Sequence, residues 1–175
     1  IHEWIIRSGL LKKDIVLGNA LVDMYAKLGV LTEAENVLQE LPIRDVVSWN
    51  ALIAAYTQHS QEYQALSCFE HMQSEGISPD EVSFISILKA CGSITAIDKG
   101  KQIHDEIINK GFLEKDVVLG NAVMDMYVKC GMPSKALKVF EALPFRDVVS
   151  FNTLISGFSQ QGQSHEALDL YDQMQ

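Results

Sequence analysis

The stretch GNALVDMYAKLG, from Gly18 to Gly29, returns as GNAVMDMYVKCG from Gly120 to Gly131, an internal repeat with a period of 102 residues. Laid without a gap over residues 103–175, residues 1–73 match at 36 positions. A chain that repeats itself in this way is constrained to fold as an array, whose units bury their apolar faces against their neighbours instead of around one central core. The period is longer than one helical hairpin needs, so it must be subdivided.

Apolar spacing supplies the subdivision. Trp49, Leu52, Ile53 and Tyr56 fall at i, i+3, i+4 and i+7, a single buried stripe along a helix. The spacing recurs at Ala65, Cys68, Phe69 and Met72, at Phe84, Ile87, Leu88 and Cys91, and at Val123, Met126, Tyr127 and Cys130. Ala136, Val139, Phe140 and Leu143 repeat it, as do Ala167, Leu170, Tyr171 and Met174. Strand-type alternation is missing. The fold expected is all-α: a solenoid, wound as a right-handed superhelix, of antiparallel helix-turn-helix repeats with helices of about three turns. Gly29, Gly92, Gly131 and Gly162 are expected just past first helices, where a left-handed backbone costs glycine least. Gly76 and Gly111, and Pro42 and Pro144, are expected to end second helices. Thr32 with Glu35, and Thr95 with Asp98, have the spacing of a capping box.

Cutting the chain at Asp45, Asp80, Asp116 and Asp147 gives a short unit 15–45 of 31 residues, a standard unit 46–80 of 35, a long unit 81–116 of 36 and a short unit 117–147 of 31. A partial long unit (1–14) and a partial standard unit (148–175) flank them. With VVSWNALIAAY and ISPD in the standard unit, SILKACGSITAIDKGKQIH in the long one, and GNALVDMYAK and LPIRD in the short one, the chain resembles the pentatricopeptide repeats of the PLS subclass, the type found in plant organellar RNA-editing factors. Tetratricopeptide repeats fit less well, because their fixed unit of about 34 residues and W-x-x-L-G signature are missing. The resemblance covers essentially the whole chain.

Counting from each unit's start, positions 4, 7, 8 and 11 form the buried stripe. A helix turns about 100° per residue, so positions 2, 5, 9 and 13 face away from it on one side of the first helix. Position 2 is Val16, Val47, Val82, Val118 and Val149, a β-branched residue where solvation alone would favour a polar one. Position 5 is Asn19, Asn50, Asn121 and Asn152, with Ile85 in the long unit. The structural alternative for the asparagines is helix capping. The resemblance implies instead that position 5 and the last position together read one RNA base, clamped between the position 2 side chains of adjacent repeats. A carboxylate accepts the N3–H of uracil, directly or through water, whereas cytosine offers a lone pair there. The pairs Asn19/Asp45, Asn50/Asp80 and Asn121/Asp147 therefore read as uracil-preferring, with cytosine second, in the 5′ to 3′ order the resemblance implies. Asn152 favours a pyrimidine, its partner position lying beyond residue 175. Ile85 leaves Asp116 alone and its base weakly read, which gives an expected target of 5′-UUNUY-3′.

A net charge of −9 works against binding a polyanion. Lys27 and Lys129 at position 13 and Lys89 at position 9 are the candidate phosphate contacts, but Asp23 and Asp125 stand four residues before Lys27 and Lys129 and can neutralise them. Weak binding is expected. Cys68, Cys91 and Cys130 lie far apart on apolar stripes, which suits reduced core thiols better than a disulfide framework or a zinc site. His104-Asp105-Glu106 has the H-x-E spacing of a zinc deaminase, yet no C-x-x-C follows and the triplet lies within a repeat helix, so a packing histidine is expected there and at the equivalent His2. No catalytic constellation, metal or cofactor is expected, and no apolar run approaches a membrane span.

The function expected is single-stranded RNA recognition as the targeting module of a mitochondrial or chloroplast C-to-U editing factor, with no chemistry of its own. The alternative is a protein-interaction scaffold that recruits small organellar editing-factor proteins through the long repeat, where Ile103, Ile107 and Ile108 exceed what one stripe needs. The opening IHEWIIRSG aligns with IHDEIINKG at 103–111, so the chain reads as an excerpt of a longer array. Ile5, Ile6, Leu168 and Met174 at its ends would then expose unfinished core and favour end-to-end association.

Overall fold

The computed structural model describes residues 14–174, which form ten α-helices and no strand. They are α1 (Ile15–Lys27), α2 (Leu31–Glu40), α3 (Val46–Gln58), α4 (Glu62–Ser74), α5 (Glu81–Ser93), α6 (Ile97–Asn109), α7 (Val117–Lys129), α8 (Pro133–Ala142), α9 (Val148–Gln160) and α10 (Ser164–Met174). No helix among the described residues is long and apolar enough to cross a membrane. The chain divides into two compact units, one ending at Ile87 and one beginning at Leu88, with the division falling inside α5.

In the first unit α1 pairs with α2 and α3 with α4, while α1 and α2 also pack on α3. The stripes meet in a core where Leu38, Leu52, Ile53, Phe69, Met72, Phe84 and Ile87 are all but inaccessible. Each such side chain contributes roughly 1.5–3 kcal/mol by leaving water. The Phe69 and Phe84 rings meet at 6.1 Å and 56°, tying α4 to the start of α5. The second unit repeats the scheme: α7 pairs with α8 and α9 with α10, α6 lies on α7, and α9 packs on α7 and α8. Its core includes Ile103, Ile107, Leu119, Val123, Met124, Phe140 and Leu154.

All five turns from a first to a second helix use one device. The residue at Gly29, Ser60, Thr95, Gly131 or Gly162 takes a positive φ between 52° and 73°. The next amide then donates back to a carbonyl five residues earlier, as in Val30 N–H to Tyr25 O at 3.0 Å and Ala96 N–H to Cys91 O at 2.8 Å. This corrects two sequence expectations. Gly92 does not end its helix: α5 runs on to Ser93, and the bare Cα of Gly92 allows close approach of α7, where a Cβ would stand 3.1 Å from Lys129 Cδ. Thr95 occupies the left-handed turn, so it cannot also serve as the extended N-cap of a capping box. The cap of α6 is Ala96, without a side-chain bond. Thr32 likewise lies inside α2, capped by Val30, and Glu35 instead accepts from the Tyr56 hydroxyl at 2.8 Å. Second helices end as their glycines and prolines suggest: Gly76 and Gly111 have φ of 76° and 70°, and Leu41 and Leu143 turn extended before Pro42 and Pro144.

Of the apolar end residues, Leu168 is 60% exposed and Met174 half-buried, while His2, Ile5 and Ile6 lie outside the described residues.

Candidate nucleic-acid interface

Each aspartate that closes a unit caps the helix that follows. Asp45 is extended ahead of α3; its carboxylate accepts the Ser48 N–H at 2.9 Å, and its own N–H donates to Ser48 Oγ at 3.0 Å. Asp80 with Ser83 and Asp147 with Ser150 repeat this exchange at the starts of α5 and α9. The capping role that sequence offered for the asparagines thus belongs to the aspartates. The real capping boxes are Asp-x-x-Ser, and each satisfies orphan amide donors of a first helical turn.

The same carboxylates are held from behind by the asparagines. Asn50 Nδ2 donates to Asp80 Oδ1 at 2.8 Å, Asn121 Nδ2 to Asp147 Oδ1 at 3.0 Å, and Asn19 Nδ2 to both oxygens of Asp45 at 3.1 and 3.2 Å. Three asparagine–aspartate pairs separated by 26 or 30 residues in sequence are therefore in direct contact. Burial pushes the Asp80 carboxyl up, but the Ser83 amide, the Asn50 side chain and the Ser83 hydroxyl outweigh it and hold it below the ordinary carboxylate value. At Asp147 the Ser150 amide, followed by the Asn121 side chain, does the same against a smaller effect of burial.

Serine hydroxyls complete two of these clusters, and the sequence reading overlooked them. Ser83 Oγ lies 2.5 Å from Asn50 Oδ1, and Ser150 Oγ 2.7 Å from Asn121 Oδ1; both serines are fully buried. The signal was available. Serine stands at position 3 of every unit that follows an asparagine (Ser48, Ser83, Ser150), and leucine stands there after Ile85 (Leu119). Ser48 points elsewhere, donating to the Asp45 carbonyl at 2.9 Å, and the buried Asn19 Oδ1 finds no partner.

At the remaining positions the long unit is distinct. Ile85 is half-buried and makes no such pair, and Asp116 only caps α7, accepting from the Val118 and Leu119 amides at 2.8 and 3.2 Å. Val16, Val47, Val82, Val118 and Val149 are 54–72% exposed, so five β-branched side chains stand in solvent at the same offset. Asn152 is exposed on α9. With Asp125 and Lys129 of α7 and Val149 of α9 it lines an open concavity of about 330 Å³. Lys27 and Lys129 each pair with the aspartate one turn before them, at 2.7 Å, and Lys89 is exposed on α5.

His104 packs as a core-edge residue, its ring Nδ1 3.0 Å from the Tyr127 hydroxyl and its ring edge-on to Tyr127. Burial holds its imidazole below the ordinary value. Among the described residues no group of three or more His, Cys, Asp or Glu converges as metal ligands would. The three cysteines are free; burial pushes the Cys68 and Cys91 thiols up to about 12. The isoleucine surplus of the long unit shrinks to one residue. Ile103 and Ile107 are core, while Ile108 is 51% exposed beside a depression of about 560 Å³ that it shares with His104, Leu113, Tyr127 and Lys138.

Comparison with known proteins gives a consistent result. Residues 44–93 and 146–175 match the PPR repeat family, and residues 19–46 and 121–147 match the PPR repeat. A pentatricopeptide repeat-containing protein of Arabidopsis thaliana is 40% identical over 174 residues, 99% of this chain and 24% of the relative. Two further Arabidopsis relatives, named mitochondrial and chloroplastic, are 37% and 36% identical over 99% of this chain and cover 27% and 28% of their own lengths. The chain thus spans about a quarter of the length of the curated relatives it matches. Among solved structures, the maize pentatricopeptide repeat protein PPR10 in complex with an 18-nt psaJ RNA element has a TM-score of 0.72 at 21% identity, over 98% of this chain and 26% of that one. The PPR domain of Arabidopsis protein-only RNase P 1 in complex with tRNA has a TM-score of 0.69 at 12% identity, over 87% of this chain and 84% of that one.

Proposed function

Because the chain belongs to the pentatricopeptide repeat family, we propose that it is a single-stranded RNA recognition module that reads one base per repeat. The repeats run 15–45, 46–80, 81–116 and 117–147 between partial units, in the PLS arrangement, and the preferred site is 5′-UUNUY-3′. The observation that carries this reading is the threefold recurrence of an Asn–Asp contact, each beside exposed position 2 valines. Chemically, the Asn50/Asp80 and Asn121/Asp147 pairs, in which the amide uses one oxygen only, each offer one outward amide N–H next to one free carboxylate oxygen. That edge complements the adjacent carbonyl and N3–H of uracil, and its carboxylate opposes the N3 lone pair of cytosine. Guanine carries a similar carbonyl and N–H, so the choice of a pyrimidine over it comes from the family resemblance. The structures of this fold solved with RNA support an RNA partner. Relatives named mitochondrial and chloroplastic support an organellar site of action, as the targeting segment of an editing factor whose chemistry lies in other parts.

The test is binding of the chain to short RNAs that differ at one nucleotide. Asp80→Asn replaces an acceptor by a group that both donates and accepts, so preference at the second nucleotide should move from uracil toward cytosine by about fivefold, the equivalent of ~1 kcal/mol. The other nucleotides should keep their preferences. Equal weakening toward all RNAs, or no change, would leave the pair a structural feature. It would favour the second reading, a protein-docking scaffold, for which the exposed Ile108 beside its depression speaks.

A further inference from the structure

The asparagine–aspartate pairs are not self-sufficient. A primary amide can present its nitrogen or its oxygen to a base, and the two choices read opposite groups. At Asn50 and Asn121 the choice is fixed from two sides. The ionised carboxylate of Asp80 or Asp147 is acceptor-only, so the amide nitrogen must face it. The carbonyl oxygen is then turned inward onto the hydroxyl of Ser83 or Ser150, at 2.5 and 2.7 Å. That hydroxyl also lies 2.9 Å from the carboxylate oxygen that the amide uses, and its backbone N–H bonds the same oxygen. With the hydroxyl proton directed to the amide carbonyl, two donors, the amide nitrogen and the serine backbone N–H, converge on one carboxylate oxygen and leave the other for the base, while the asparagine is left with a single outward N–H.

We propose that Ser83 and Ser150 are positioning residues for base selection. Each belongs to the repeat after the pair it holds, so the base is selected by two consecutive repeats, with the serine locking the pair into a one-donor, one-acceptor edge. The inference rests on the base reading proposed above. Without the hydroxyl, a buried carbonyl loses its donor, an unfavourable state that is relieved when the amide swings out to water. It then offers an acceptor to the cytosine amino group, and discrimination falls.

The chain contains its own comparison. Ser48 caps α3 as Ser83 caps α5, but its hydroxyl turns to the Asp45 carbonyl and leaves Asn19 Oδ1 buried without a donor. The first pair is the unlocked form. Uracil over cytosine should therefore be selected less strictly at the first nucleotide than at the second and fourth.

The experiment measures equilibrium binding of the full chain to RNA oligonucleotides carrying uracil or cytosine at nucleotide one, two or four. Ser83→Ala should lower the uracil-to-cytosine ratio at nucleotide two by about three- to fivefold, the value of one hydrogen bond, and Ser150→Ala should do so at nucleotide four. Ser48→Ala, which removes the same kind of cap, should leave the ratio at nucleotide one unchanged, and Ser83→Thr should restore the ratio at nucleotide two. Thermal unfolding of the three alanine variants controls for the shared loss of capping. Equal weakening toward uracil and cytosine RNAs by Ser83→Ala and Ser150→Ala would overturn the proposal, as would a shift with Ser48→Ala of the same size. Asp80→Asn, measured alongside, separates the two levels. If it alone shifts the ratio, base reading stands and the role of the serines falls; if nothing shifts it, both fall.

Discussion

Asp80 and Asp147 each hold two elements at once, the first turn of the helix that follows and the asparagine of the helix before. Every one of those bonds needs an acceptor, so protonating the carboxyl weakens all of them together. Their folded values lie below the ordinary carboxylate value. A lowered value in the folded state means that the ionised form favours folding. This contribution is complete above the ordinary value of about 3.9 and is lost as pH falls through the lowered folded values. The melting temperature should therefore drop more steeply between about pH 4 and pH 2 in the unmodified chain than in Asp80→Asn/Asp147→Asn, whose side chains do not titrate. Parallel curves would show that these carboxylates contribute nothing to folding. Uracil selectivity should survive down to the same range, since the reading oxygen is ionised throughout.

At the level of the element, the turn between first and second helices shows how position overrides residue type. The left-handed residue stands fourteen places after the start of each first helix, whether that residue is Gly29, Gly131 and Gly162 or Ser60 and Thr95. Threonine is β-branched and is strained there, at a cost of roughly 1–2 kcal/mol, against which glycine carries about 0.5–1 kcal/mol of extra unfolded-state entropy. Thr95→Gly should thus stabilise the chain by up to ~1 kcal/mol, a rise of about 2–4 °C in melting temperature for a chain of this size. The reciprocal Gly131→Thr should lower it. Calorimetry of both variants checks this, and a fall with Thr95→Gly would mean that the threonine makes a compensating contact.

For the whole molecule the governing quantity is charge. A net charge of −9, with Lys27 and Lys129 each already 2.7 Å from an aspartate, leaves few cations to displace counterions from RNA. These exposed pairs are individually weak, so the lysines can turn to phosphate, but each leaves an anion beside the path of the strand. With about two effective phosphate contacts, log K against log salt should have a slope of about −1.4 for a single strand. Lys27→Ala should weaken every sequence about equally. A slope several times steeper, measured by titration over a range of salt concentrations, would reveal a basic surface that the described residues do not present. Under the proposed function, affinity should then come chiefly from base contacts and clamping.

The sequence by itself determined the helices, their repeat and the residues that stand at positions 2 and 5 and at the last position of each unit. Apolar periodicity is a property of each helix taken alone, and an offset counted along one helix survives any packing; hence the stripe Trp49, Leu52, Ile53 and Tyr56 is buried and all five position 2 valines are exposed. The contact of Asn50 with Asp80 could be anticipated only as a coincidence of offsets, because their distance depends on how the intervening hairpin closes. Which way the amide faces was beyond sequence reasoning altogether. It is set by a hydroxyl in the first turn of the helix that the aspartate caps, and identical serines differ in it: Ser83 turns to Asn50, Ser48 to its own cap. The neighbours Ile107 and Ile108 make the same point, one sealed in the core and one in solvent, since a turn of about 100° decides nothing until another helix is packed on one side. Local periodicity fixes faces; only tertiary packing decides what each face meets and where its hydrogen bonds point.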